Sequence, residues 1–270
     1  MIRCTGRNAD RMMMRSLTAR LVAILFAAIA LATLTDAASA ADIKILTAGA
    51  FKQVLVAMLP DFEKQSGHKV AIDNDTVGAL VKRINGGEAF DVVIASPGAL
   101  DDLVKSGKIA AAERAALAKV GIGVAVREGA PRPDIATVEA FKRAVIEAKS
   151  VAYIDPAAGG SSGIYLARLF ERLGLADIVK PKARLIPGGA VAEHVTRGEA
   201  ELGIHQISEI LPVKGVVLVG PLPAEIQNFT VYAAGLGAAA RDPAAGRDLI
   251  AFLSGPKAGP VLASKGMIAP

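Results

Sequence analysis

From residue 42 onward the chain alternates two kinds of segment, and this alternation limits the possible folds more than any other feature. Short apolar runs rich in Val and Ile are each followed by a longer stretch of helical spacing. "DIKILTA" precedes "FKQVLVAMLPDFEKQSG", "HKVAIDND" precedes "GALVKRINGG", and "AFDVVIAS" precedes "ALDDLVKSGKI". Runs of period 2 next to runs of period 3.6 predict βαβ units. Val92-Val93-Ile94 is apolar without alternation, which a strand tolerates when helices cover both faces of its sheet. The fold class is therefore α/β, with mainly parallel sheets flanked by helices.

The rhythm breaks once and then resumes. A second block reads "SVAYIDP" before "GIYLARLFERLG", "ARLIPG" before "AVAEHVTRGEA", and "ELGIHQ" before "SEIL". Two extended segments join the blocks, "VGIGVAVREGAPRP" at residues 120–133 and "NFTVYAAGLG" at 228–237. Each enters from one block and leaves into the other, which predicts two lobes joined by a two-stranded hinge. The expected division is 41–123 with 228–270 as lobe 1 and 124–227 as lobe 2. One continuous sheet is the alternative.

Residues 1–40 stand apart. Five arginines (Arg3, Arg7, Arg11, Arg15, Arg20) precede an apolar run of 14 residues, 21–34, and then Ala38-Ser39-Ala40. A spanning helix needs about 20 apolar residues, so the pattern predicts a secretory signal peptide cleaved near Ala40. Translation starting at any of Met12 to Met14 leaves the same mature chain. The leader holds 5 of the 31 basic and 2 of the 26 acidic residues, so 26 and 24 remain and the formal charge falls from +5 to +2. Such a balance argues for neither nucleic acid nor an anionic membrane. Cys4, the single cysteine, also lies in the leader, which excludes a disulfide framework in the mature chain. With no Trp and three Tyr, stacking on flat ligands is disfavoured. An exported, periplasmic, monomeric protein is expected.

In open α/β sheets, ligands sit beyond the carboxyl ends of the strands, and here those ends share one composition. The loops are Thr47-Ala48-Gly49-Ala50, Thr76-Val77-Gly78, Ser96-Pro97-Gly98, residues 155–163, Pro187-Gly188-Gly189 and His205-Gln206. Glycine lets backbone N–H groups approach a ligand, and hydroxyls add rotatable donors. A helix N-terminus contributes about half a positive charge. The candidate ligand-binding set is Thr47, Gly49, Ala50, Thr76, Val77 and Gly78 on one side, with Ser161, Ser162, Gly188, Gly189 and Gln206 on the other. Lys52 reads as a solvated helix lysine and His205 as a structural histidine, either of which could pair with a carboxylate. Glu201 and Glu209 read as solvated or helix-capping charges.

Residues 159–163, "GGSSG", satisfy the G-x-S-x-G pattern of a nucleophile elbow, with Asp177 and His194 following in hydrolase order. Five residues separate "VAYI" from Ser161, however, and His194 falls inside a helical segment. A serine hydrolase using Ser161 is thus the remote alternative. Three histidines (His68, His194, His205) and no mature cysteine exclude the usual transition-metal sets, so no cofactor and no metal are expected.

Five stretches in order, "IKILTAGAFKQVLVAMLPDFEKQSGHKV", "GALVKRINGGEAFDVVIAS", "DPAAGGSSGIY", "RGEAELGIHQISE" and "SGPKAGPVLASKGM", resemble the periplasmic molybdate-binding proteins of ABC importers. The resemblance covers residues 42–270. It implies the two-lobed periplasmic binding protein fold, closure on a small oxyanion held by uncharged donors, delivery to an ABC permease, and no catalytic activity. Three side chains depart from the family pattern: Ala50 and Val77 stand where it has serines, and Gln206 where it has a tyrosine. A small organic carboxylate is therefore the rival ligand.

Overall fold

The computed structural model describes residues 40–270, and the expected leader lies outside the described residues. Strand β1 (Asp42–Ala48) passes through a 3-10 turn, Gly49–Phe51, into α1 (Lys52–Ser66); β2 (Lys69–Asp75) leads to α2 (Val77–Asn85) and β3 (Val92–Ala95) to α3 (Pro97–Lys105). β1 runs parallel to β2 and to β3. All four β3 residues are buried, as an unbroken apolar run requires when both faces of its sheet are covered.

After the long strand β4 (Ile109–Arg127) come α4 (Val138–Glu147), β5 (Val151–Ile154), α5 (Ser161–Arg172), α6 (Ala176–Val179) and β6 (Ala183–Ile186). Next follow α7 (Val191–Thr196), β7 (Leu202–Gln206), α8 (Ile207–Ile210) and β8 (Val216–Pro221). The chain returns through β9 (Phe229–Gly237) to α9 (Pro243–Leu253), α10 (Ala258–Ser264) and β10 (Met267–Ile268). β5 is parallel to β6 and β7.

Local chemistry explains where the helices begin and end. The side chains of Thr76, Thr137 and Asp242 accept from Ala79, Ala140 and Ala245 N–H respectively, capping α2, α4 and α9, each cap being worth about 1 kcal/mol. Pro97 and Pro243 occupy first turns, where a missing N–H costs nothing. α1 stops at Gly67, whose φ of 77° is the left-handed terminator that glycine supplies.

The strands form one connected path, β2-β1-β3-β9-β4-β7-β5-β6, because β4 belongs to both halves. Residues 109–121 of β4 pair with β9, whereas 122–127 pair with β7 and β8. The hydrophobic cores change at the same place. Val120 packs with Ile45, Phe51, Leu55 and Leu249, while Ile122 packs with Phe141, Val145, Leu166 and Ile204. Gln227 ties the crossing segments together: its Oε1 accepts Ile122 N–H at 2.8 Å and its Nε2 donates to Ile122 O at 2.9 Å. The sheet is thus continuous in hydrogen bonding yet carries a separate core on either side of the crossing. β4 alone pairs with strands of both halves, while the chain returns to the first half through residues 222–228 into β9.

Candidate functional site

Strand ends of both halves converge on a cavity of about 330 Å³. The β1–α1 turn contributes Gly49 and Ala50, the N-terminus of α2 contributes Thr76 and Val77, and the N-terminus of α5 contributes Ser161 and Ser162. Gly188, Gly189 and Gln206 complete the predicted part of the lining. Of the eleven candidate residues, nine therefore line one cavity.

Thr47 and Gly78 do not. Thr47 is fully buried and its hydroxyl donates to Ala48 O at 3.1 Å. Gly78 lies against the opposite loop, its N–H donating to Gly159 O at 3.2 Å. The Thr76 hydroxyl is also spent internally: it donates to Ala158 O at 2.5 Å and accepts Ala79 N–H at 3.2 Å. Thr76 reaches the cavity without a free hydroxyl proton.

Gln206 organises one wall. Its Nε2 faces the hydroxyls of Tyr232 at 2.8 Å, Ser161 at 3.0 Å and Thr230 at 3.2 Å. Nε2 only donates and has two protons to share among the three hydroxyls, and Thr230 Oγ1 in turn lies 3.4 Å from Ser161 Oγ, so the four side chains form one polar network along this wall. Among the described residues no histidine nitrogen is hydrogen-bonded to Ser161, whose partners are Gln206 and Thr230. His194 bonds instead to Glu199 at 2.5 Å and to Arg197 at 3.0 Å, so the hydrolase triad is not assembled.

Glu209 corrects the sequence reading most. Instead of a solvated or capping charge, its side chain is only 15% exposed and lines the cavity. Gly49 makes room for it, since a Cβ there would lie 2.7 Å from Glu209 Oε1. Glu201, in contrast, is exposed and accepts Lys149 N–H.

Among the described residues neither Glu209 oxygen has a hydrogen-bond partner, and its nearest cationic candidate is His205 Nε2 at 3.4 Å. That separation exceeds the ~2.7–2.9 Å of a charge-assisted bond. Burial pushes the Glu209 carboxyl up to about 8 and His205 down to about 3, so both are mainly uncharged at neutral pH. His205 Nδ1 is buried without a partner. Burial, and next the neighbouring Glu209 charge, raises the Tyr232 phenol above its ordinary value.

The cavity lining contains neither Lys nor Arg. Its attraction for negative charge rests on the dipoles of α2 and α5 and on the N–H groups left at their N-termini, those of Gly78 and Ala79 in α2 being already spent on Gly159 O and the Thr76 hydroxyl. Lys52 and Lys214 line an adjoining cavity of about 470 Å³ that shares Gly49, Asn74, Gly189 and Glu209 with the first. No group of three His, Cys, Asp or Glu that could hold a metal occurs among the described residues.

The profile of the bacterial extracellular solute-binding protein family matches residues 43–268. The chain belongs to this family. Among its relatives is the aconitate isomerase of a Pseudomonas species, 38% identical over 229 residues, 83% of this chain and 86% of that protein. The molybdate-binding protein of Azotobacter vinelandii is 27% identical over 242 residues, 86% of this chain and 92% of that one. The solved periplasmic molybdate-binding protein of the same organism superposes with a TM-score of 0.73 at 20% identity, covering 84% of this chain and 99% of the other. The periplasmic binding protein fold of this solute-binding protein is thereby shown.

Proposed function

We propose that this solute-binding protein takes up a small unsaturated tricarboxylate of the aconitate class in the periplasm and presents it to an ABC permease. The observation that carries this reading is Glu209, a carboxyl placed in an anion-attracting cleft. An ionised Glu209 would repel a bound anion by about 4 kcal/mol per charge pair at 4 Å. The guest is therefore received while Glu209 is protonated and able to donate. A tetrahedral oxyanion concentrates its charge at one point. A tricarboxylate spreads it, with carboxylates at the N-termini of α2 and α5 and a further one directed toward Lys52 and Lys214. A cavity near 330 Å³ also falls at the lower end of the ~300–1,000 Å³ that encloses small organic ligands. The 38% identity to an aconitate isomerase supports the same class.

Calorimetric titration and thermal shift on the mature protein test this, with molybdate, tungstate, sulfate, phosphate, citrate and both aconitate isomers. A ligand at a hundred times its Kd adds about 2.7 kcal/mol of stability. A shift with an aconitate isomer is expected. A shift with molybdate and with no carboxylate would restore the oxyanion reading, which the relation to molybdate-binding proteins keeps as its rival.

Turnover of the bound ligand is a second reading, and Glu209 is again the observation that favours it. Binding alone would be served as well by a fixed neutral donor, whereas an unpartnered carboxyl that titrates near neutral pH can also exchange its proton with the guest. Acid–base catalysis needs such a group.

A further inference from the structure

We propose that Glu209 is the proton-transferring residue of an allylic isomerisation, moving a proton between the two carbons that flank the central carbon of a bound aconitate-class ligand. The inference rests on the tricarboxylate reading given above and adds the residue and the route.

The ligand's own chemistry defines what is required. An aconitate has a methylene between a carboxylate and a carbon–carbon double bond, so its C–H is both allylic and next to a carboxylate. Once the bound complex has given up the Glu209 proton to solvent, the Glu209 carboxylate removes one methylene proton. The C–H electron pair becomes the new double bond between that carbon and the central carbon. The electrons of the old double bond take a proton at the far carbon, delivered by the Glu209 carboxylic acid. The double bond has moved by one position, Glu209 returns to its starting state, and the new double bond can be either cis or trans. No oxidant, reductant or metal enters the balance.

The site meets these needs in four respects. First, Glu209 lines the cavity, and neither of its oxygens is held in a hydrogen bond among the described residues. The carboxyl is therefore free to exchange a proton with a guest. Second, Gly49 leaves the space beside Oε1 open, and a side chain there would occupy it. Third, the donors that neutralise charge developing on the ligand's carboxylates come from elements other than α8. They are the α2 and α5 N-termini and the hydroxyls of Ser161 and Tyr232, which Gln206 orients. Charge accumulates on the ligand in the transition state, and such preorganised donors stabilise it there. Fourth, burial holds the carboxyl near neutrality, where a residue can both accept and return a proton. In the cavity with Glu209 the other titratable groups are His205 on β7, Tyr232 on β9 and Asp75 at the end of β2, which faces Arg83 at 3.5 Å, with Lys52, Glu193 and Lys214 bordering the adjoining cavity.

The test incubates the mature protein with trans-aconitate deuterated at the methylene and follows products by NMR, with binding measured in parallel by calorimetry. The expected result is cis-aconitate that has lost one deuteron from the original carbon, either to water or to the far carbon. Glu209→Gln, whose amide still donates, is expected to bind the ligand while interconverting it at least about 100-fold more slowly, the size of a general acid–base contribution. Thermal melting of the variant establishes that it folds. Product retaining both deuterons on the original carbon overturns the proton shift whatever the variant does. Equal turnover by wild type and Glu209→Gln overturns the assignment to Glu209. Binding without interconversion overturns this inference and leaves the tricarboxylate reading standing, whereas no binding of either isomer removes both.

Discussion

Glu209 and His205 are four residues apart, and burial moves them in opposite directions, which makes the pH dependence of this protein a test of the site. Glu209 is raised from 4.5 to about 8, so its contribution to stability is complete below pH 4.5 and is lost as pH climbs through about 8. His205 is lowered from 6.5 to about 3, so its contribution is complete above pH 6.5 and is lost as pH falls toward 3. Between pH 6.5 and 8.5 Glu209 alone of the pair changes. Stability is expected to decline across that window in wild type and to stay level in Glu209→Gln, as read from urea midpoints at each pH. Affinity for an anionic ligand is expected to fall in the same window, since ionisation of Glu209 places like charges together. Gln206 makes a second residue-scale prediction. Gln206→Leu strands the hydroxyls it serves, each buried unmet group costing about 1–3 kcal/mol, and lowers the melting temperature in calorimetry. In sequence Gln206 was legible as a strand-end residue. Glu209 was not, because a glutamate in the first turn of a helix looks the same whether that turn faces solvent or a cleft.

Among the elements, the contact between the α2 N-terminus and the β5–α5 loop links the two halves across the cavity. Gly78 and Gly159 meet backbone to backbone, and a Cβ on Gly78 would fall 2.8 Å from Gly159 Cα. Gly78→Ala places no strain on its own helix, yet it wedges the loops apart. It is expected to weaken ligand binding at least tenfold by titration calorimetry while leaving the unfolding midpoint nearly unchanged. Asp91 plays the opposite part, structural and remote from the cavity. Its carboxylate accepts Lys44 N–H at 2.7 Å and Arg241 N–H at 2.8 Å, joining β1 to the segment after β9. Burial alone would raise its pKa, but the Arg241 hydrogen bond and the two backbone amides hold it below its ordinary value. Asp91→Ala leaves those two amides unmet at about 1–3 kcal/mol each, which urea unfolding measures, with ligand affinity unchanged. Most elements were readable from periodicity, but β4 was readable only in its second half. Residues 110–119, "AAAERAALAK", carry the composition of a helix. They form strand because β9 supplies antiparallel partners, with two register shifts absorbing the mismatch.

For the whole molecule, separate cores lie on either side of the β4–β9 crossing, and the halves meet again across the cavity through Gly78–Gly159, Thr76–Ala158 and Gln206–Tyr232, so a ligand that bridges them is expected to tighten their closure. Small-angle scattering is expected to show a smaller radius of gyration on adding the tricarboxylate, with a reduced change in Gly78→Ala. The sequence by itself determined the order and kind of most elements, and it placed small residues, glycines and hydroxyls at the strand ends. Those are local properties, set by periodicity and by backbone freedom over a few neighbouring positions. Tertiary structure alone decided which strand ends face one another. It sent Thr47 into the core and Gly78 against Gly159 rather than toward a guest, and it left Glu209 uncharged beside a neutral His205. Burial and desolvation come from residues far away in the chain, so no local pattern carries them.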